Sequence, residues 1–263
     1  MMSFIIKNLP ILIVITPLMF SLIVAVLNNN RLAWALSTFA SFLTMIFTIL
    51  LCFEVSYKSN ISYYLGNWPP PLGIEYVIDR ISIIPIMIVS VIGLIATLFA
   101  HNFFTLEIDE KLVSKTYSLW LLTIAGLIGL ITTADAFNLF VFLEISSLSA
   151  VALVALGSKV DRKALVAGYN YLILGAVGAT FYVIGVGLLY GVTGTLNMGD
   201  LAQKIPALGL NKSVIVAFTF MMLGIMVKAA VFPLHIWLPN AYAYAPSPVS
   251  VLLAATATKV SIY

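Results

Sequence analysis

Long apolar runs separated by short polar connectors make up almost the whole chain. A helix needs ~20 apolar residues to cross the hydrocarbon core of a bilayer. Counted against that length, the runs predict spans at 9–27, 32–54, 77–100, 117–134, 136–156, 168–190, 213–232 and 248–263. They lack the two-residue alternation of a transmembrane barrel strand, so helices are predicted. The expected fold is an all-α integral membrane protein, a polytopic bundle of about eight transmembrane helices. The first run follows only Lys7, ends in Asn28-Asn29-Asn30 and carries no small-residue cleavage site. It reads as a retained helix, not a signal peptide.

The connectors carry the punctuation. Residues 55–76 hold Pro69, Pro70 and Pro71 beside aromatic residues, which predicts an interfacial loop with an aromatic anchor. Segment 101–116 is an ordinary solvated loop with mixed charges. Residues 191–212 predict a short surface helix near Leu196–Lys204 followed by a turn. The densest positive stretch is Gly157–Lys163, with Lys159, Arg162 and Lys163. Placing it in the cytoplasm puts the N-terminus and the proline-rich loop outside.

Composition narrows the class further. Of 263 residues, 62% are hydrophobic and 9% charged, far below the roughly one quarter charged that a water-facing domain carries. A formal charge of +3, with no basic cluster of the density that nucleic acid requires, gives no footprint for nucleic acid. The single Cys52, inside an apolar run, excludes a disulfide framework and a cysteine metal site.

Against that background three ionisable residues stand out. Glu144, Lys228 and Lys259 each lie inside an apolar run. Charge near the bilayer centre is costly, faces the protein interior, and commonly marks an ion or proton pathway. Glu144 lies ~12 Å into its span, Lys228 ~21 Å and Lys259 ~16 Å. Each has a plainer alternative: the lysines can snorkel to the interface, and Glu144 can be a structural hydrogen-bonding acid.

The run holding Lys228 ends at Pro233, and Pro239, Pro246 and Pro248 follow. Proline removes a backbone donor and clashes with the preceding turn, so the seventh helix is predicted to break, with Pro233 and Pro239 as its markers. Broken backbone at membrane depth must line a cavity or be buried in protein, as at transporter ion sites. His235 follows the break and reads equally as a relay group or as a partner of the freed backbone. His101 and the Asp79–Arg80 pair read as interfacial, Asp135 as a helix cap, and Gly175 with Ala179 as a close-packing stripe. Dinucleotide, Walker, CxxC and paired-histidine haem signatures are missing, so no cofactor is expected and electron chemistry falls to partners.

The segments NLFVFLEISSLSAVALVALG and KAAVFPLHIWLPNAYAYAPSPVSVLLAATATK resemble the antiporter-like membrane subunits shared by respiratory complex I and multisubunit cation/proton antiporters. GIEYVIDRIS and GVGLLYGVTGTLNMGDLA look closest to the D-type subunit of the Mrp antiporters. The resemblance implies that residues 1–115 form helices 1–3 and that 116–263 form the first antiporter-like repeat, helices 4–8. In the family the helix-5 glutamate and helix-7 lysine pair, and the helix-8 lysine passes the proton on. Those roles fall on Glu144, Lys228 and Lys259, with His235 between.

The family subunit has two inverted repeats, so the sequence is expected to be a front half. The implied function is a proton-translocating subunit of a multisubunit sodium/proton antiporter. The alternative is a proton-pumping subunit of a complex I-like NADH/quinone or hydrogenase oxidoreductase. Other membrane subunits, protons, sodium and the bilayer are the implied partners, in a bacterial cytoplasmic membrane.

Overall fold

The computed structural model describes residues 2–209 and 211–263. Helices dominate it: α1 (Met2–Val26), α2 (Asn30–Lys58), α3 (Ile83–Glu107), α4 (Glu110–Thr132), α5 (Ala136–Ala155), α6 (Lys163–Thr193), α7 (Met198–Ala207), α8 (Lys212–Lys228), α9 (Trp237–Tyr244), α10 (Ser247–Ala255) and α11 (Ala257–Ile262). Among the described residues, α1 to α6 are the six helices long and apolar enough to cross a membrane. The seventh and eighth expected spans are not continuous helices. Helix α8 stops after 17 residues, and the last span is divided into α10 and α11 at Thr256.

The loop expected over 55–76 is partly sheet. Strands β1 (Ile61–Tyr64) and β2 (Glu75–Ile78) pair antiparallel, with Ile61 opposite Ile78 and Tyr64 opposite Glu75. Tyr76 and Ile78 turn inward in a two-residue alternation too short to stand out from the apolar run that follows. Helix α3 accordingly begins at Ile83, not near 77. Asp79 does not pair with Arg80. Its carboxylate accepts from the amides of Ile81 and Ser82, while Arg80 donates to Ser59.

Helix α4 is the central element: 78% of its apolar window is buried, against 33–44% for the other five spans. Trp120 and Tyr117 are fully enclosed there. The outer helices show Leu22, Phe39, Phe53 and Ile184 to the surroundings, the surface that a lipid environment accommodates. Helices α6 and α8 meet backbone to backbone. A Cβ on Gly224 would lie 2.5 Å from the Gly178 carbonyl oxygen, so only glycine fits.

The ends of the helices gather on two faces. On one, Ala134 donates to the Glu75 carbonyl, Asn197 Nδ2 to the Glu75 carboxylate, and Met198 to the Ala134 carbonyl. These bonds join the hairpin, the α4–α5 turn and the start of α7 into the hairpin face. On the opposite face Lys159 donates to the carbonyls of Leu106 and Ile108, and Glu107 accepts from both the amide and the hydroxyl of Ser247. The Gly157–Lys163 connector therefore lies opposite the hairpin.

Candidate functional site

Lys228 is the last residue of α8 and is buried, 7% exposed. Its Nζ donates to Ser147 Oγ at 2.7 Å and lies 3.8 Å from Glu144 Oε1. Ser147 and Glu144 are three residues apart on α5, so they present one face to the lysine. Ser147 is 11 residues along α5 from Ala136, or ~16 Å, which is half of the ~30 Å apolar layer. Gly175 of α6 closes the third side; a Cβ there would touch Nζ at 3.5 Å.

Several features hold an ammonium at that depth. The C-terminal end of a helix carries partial negative charge, which favours a cation on its last turn. The Ser147 hydroxyl supplies a short charge-assisted bond. Glu144 supplies the opposite charge at a separation longer than a hydrogen bond. Glu144 Oε1 has no hydrogen-bond partner. The side chain is partly exposed toward a cavity of about 440 Å³ between α4 and α5, among Leu122, Phe140 and Leu148.

Why α8 ends at Lys228 is visible in its neighbours. Ala230 has φ of +54°, which turns the chain away from the helix axis. Trp237, at the start of α9, donates its indole N–H to the Val227 carbonyl at 3.0 Å. Its ring stacks on Tyr171 of α6 with centroids 4.2 Å apart and planes 6° apart. The helix end is thus pinned to α6 through an aromatic pair.

The remaining predicted residues are placed differently. Pro233 sits exposed in the irregular segment between α8 and α9. Pro239 lies in the first turn of α9, where a missing N–H leaves no bond unmade, so it does not mark the break. His235 lies in the same irregular segment, its ring 5.6 Å from Phe232 and its Nδ1 enclosed without a partner. Lys259, on α11, is exposed and donates to the Ala254 carbonyl at the α10–α11 break. The Leu253 carbonyl at the same break accepts from Tyr242. Among the described residues no hydrogen bond or ion pair joins His235 or Lys259 to Glu144 or Lys228. The structure brings together two of the four expected relay groups.

Ser147 does not stand out in the sequence, although it lies one turn beyond Glu144. Nor does a buried hydroxyl pair between α4 and α5, Thr123 donating to Ser149 at 2.8 Å.

A bundle of apolar, membrane-length helices with an acid and a lysine paired at a broken helix end defines an integral membrane protein. Residues 133–263 match the family described as NADH:quinone oxidoreductase/Mrp antiporter, TM, and the chain belongs to that family of antiporter-like membrane subunits. It is 44% identical over 97% of its length to the N-type subunit of the NADH-quinone oxidoreductase of Desulforudis audaxviator. It is 32% identical over 98% of its length to the D-type subunit of the Na(+)/H(+) antiporter of Bacillus subtilis. The chain spans about half the length of these curated relatives, 51% of each. Among solved structures it superposes on the membrane-bound sulfane sulfur reductase, an archaeal respiratory membrane complex. The TM-score is 0.90 at 33% identity, covering 97% of this chain and 52% of that one.

Proposed function

We propose that this chain forms part of a proton-translocating membrane subunit in which Lys228 and Glu144 act as a coupled pair. One observation carries the reading: a lysine buried at a broken helix end at mid-membrane, 3.8 Å from a carboxylate and 2.7 Å from a hydroxyl. A proton reaching either member changes the field at the other, so the two charges act together. Lys259 is the next station and His235 the connecting group, Lys259 moved toward the pair by rearrangement at the α10–α11 break and His235 by rearrangement of the irregular segment. The host is a multisubunit monovalent cation/proton antiporter exchanging sodium, assembled from other membrane subunits in a bacterial cytoplasmic membrane, with the Gly157–Lys163 connector inside. Likeness to the Bacillus antiporter protein supports this choice.

The test is Lys228→Ala in the assembled complex, read as ΔpH-driven antiport in everted vesicles. Antiport is lost while the complex still assembles; retained antiport overturns the role.

A second reading has its own support. Identity to the oxidoreductase protein is higher, 44% against 32%. There the same pair pumps protons for a redox complex whose flavin and iron–sulfur partners carry electrons. Mass spectrometry of the complex purified through a tag on this chain separates the two. Cofactor-free membrane partners support the antiporter, and redox subunits replace it.

A further inference from the structure

Away from the lysine, a cavity of about 230 Å³ opens on the face opposite the hairpin, where α2 starts, α3 ends and α4 starts. Arg31, His101, Asn102 and Thr105 line it, with Val113 and Tyr117 of α4 behind them. The His101 ring is set by its contact with Trp34, centroids 4.2 Å apart, and Trp34 is fixed by its indole N–H on the Thr97 carbonyl at 3.2 Å. The donors that face the space are unspent. Among the described residues no hydrogen bond or ion pair engages the side chains of Arg31, His101 or Asn102. A guanidinium offers five N–H groups, an amide two and an imidazole at least one, so this cavity suits an acceptor-rich anion. The neighbouring carboxylates do not line it: Glu107 is bonded to Ser247, and Asp109 and Glu110 are exposed outside it. Lys111 on the first turn of α4 and the Gly157–Lys163 connector add positive charge on the same face. Apolar surface continues from the cavity toward the membrane centre. Leu98 lies one turn before His101 on α3, Phe42 about three turns after Arg31 on α2, and both are exposed. A free anion makes no use of that strip, whereas a phospholipid has its charge at the interface and its acyl chains below.

We propose that this cavity binds the phosphate of an anionic membrane phospholipid, with Arg31 and His101 as its donors and the acyl chains laid against Leu98 and Phe42. Arg31 supplies the two-pronged, charge-assisted contact for which a planar guanidinium matches a phosphate. His101, oriented by Trp34, donates from the opposite wall. The bound lipid therefore bridges α2 and α3 at this face. The site is separate from the Glu144–Lys228 pair and does not depend on its role.

The test uses the full complex, purified and supplied with phosphatidylglycerol carrying a photoreactive group in one acyl chain. Crosslinked peptides are mapped by mass spectrometry, and phosphatidylcholine with the same tail gives the level of bulk lipid. Phosphatidylglycerol is expected to label the stretches around Leu98 and Phe42 well above phosphatidylcholine, and excess inorganic phosphate leaves that labelling in place. The double variant Arg31→Gln, His101→Gln loses the excess roughly tenfold or more, the scale of a lost charge-assisted bond. Lys111→Gln, which removes a charge on the same face outside the cavity, keeps it. Equal labelling by the two lipids in the wild-type complex overturns the site without recourse to any variant. Unchanged labelling in the double variant overturns the roles of Arg31 and His101, and displacement by inorganic phosphate overturns the lipid in favour of a free anion.

Discussion

Lys228 Nζ is held 2.7 Å from Ser147 Oγ and 3.8 Å from Glu144 Oε1, so a hydroxyl and not the carboxylate makes its close contact. A tight buried ion pair is hard to separate once its partners have lost water. A loose pair whose ammonium makes its short bond to a neutral hydroxyl is held less tightly than that.

Ser147→Ala removes that contact without changing the backbone. A hydrogen bond to a charged group contributes about 1.5–3 kcal/mol. Proton-coupled transport is expected to fall roughly tenfold or more with assembly intact, since each ~1.4 kcal/mol is a factor of ten. Ser147→Thr keeps the hydroxyl and restores most of it. Initial rates of dye-reported ΔpH collapse check this, and wild-type rates for the alanine variant would remove Ser147 from the site.

Gly224→Ala tests the close approach that sets the lysine against α5. The added Cβ would stand 2.5 Å from the Gly178 carbonyl oxygen. Both atoms at that contact are part of rigid helices, so α8 must move away from α6. Overpacking of this kind costs about 1–3 kcal/mol. The expected results are a lower melting temperature of the purified complex and reduced transport. Gly187→Ala, where a Cβ meets nothing within 4 Å, serves as the silent control on α6.

Glu144 and Lys228 are legible in the sequence because a charge in an apolar run is rare enough to stand out. Ser147 is not, because a small hydroxyl inside a membrane helix can satisfy itself on the preceding turn, as Ser146 does on Phe142. The break in the seventh helix is legible from Pro233, but its position is not. Helix α8 ends at Lys228 through the turn at Ala230 and the long-range bond from Trp237, neither visible in local spacing. The break at Thr256 has no proline or glycine to announce it, lying between Ala255 and Ala257. The expectation that Lys259 sits in a continuous last helix fails for that reason. The hairpin is hidden because four-residue strands joined to an apolar helix read as more of the helix.

Asp79 gives a pH signature at the hairpin face. Hydrogen bonds from Ser82 hold its folded pKa below the ordinary value of 3.8. A depressed carboxylate contributes stability that is present above the unfolded value and lost as pH falls through the folded one. Asp79→Asn is therefore expected to melt below the parent complex at neutral pH, with the gap narrowing once pH drops beneath 3.8. Parallel melting curves at neutral and acid pH decide it; a gap independent of pH would mean that the charge contributes nothing.

Trp237 links the helix break to the lysine through two separable interactions. The indole N–H bonds the Val227 carbonyl, one residue before Lys228, and the ring stacks on Tyr171. Trp237→Phe removes the first and keeps an aromatic face for the second, a loss of about 0.5–1.5 kcal/mol for the bond. Trp237→Ala removes both and leaves a cavity where a buried ring stood, a change in the range of about 3–5 kcal/mol. If the ring only fills space, the phenylalanine variant transports like the parent. If the indole bond sets where α8 ends, that variant keeps its assembly and most of its thermal stability yet loses transport, because the last turn, and Lys228 with it, is no longer fixed against Ser147. The second outcome is expected, since the bond acts on the carbonyl next to the lysine while the stack acts on α6. Melting temperature and antiport rate measured on the same preparations separate the two.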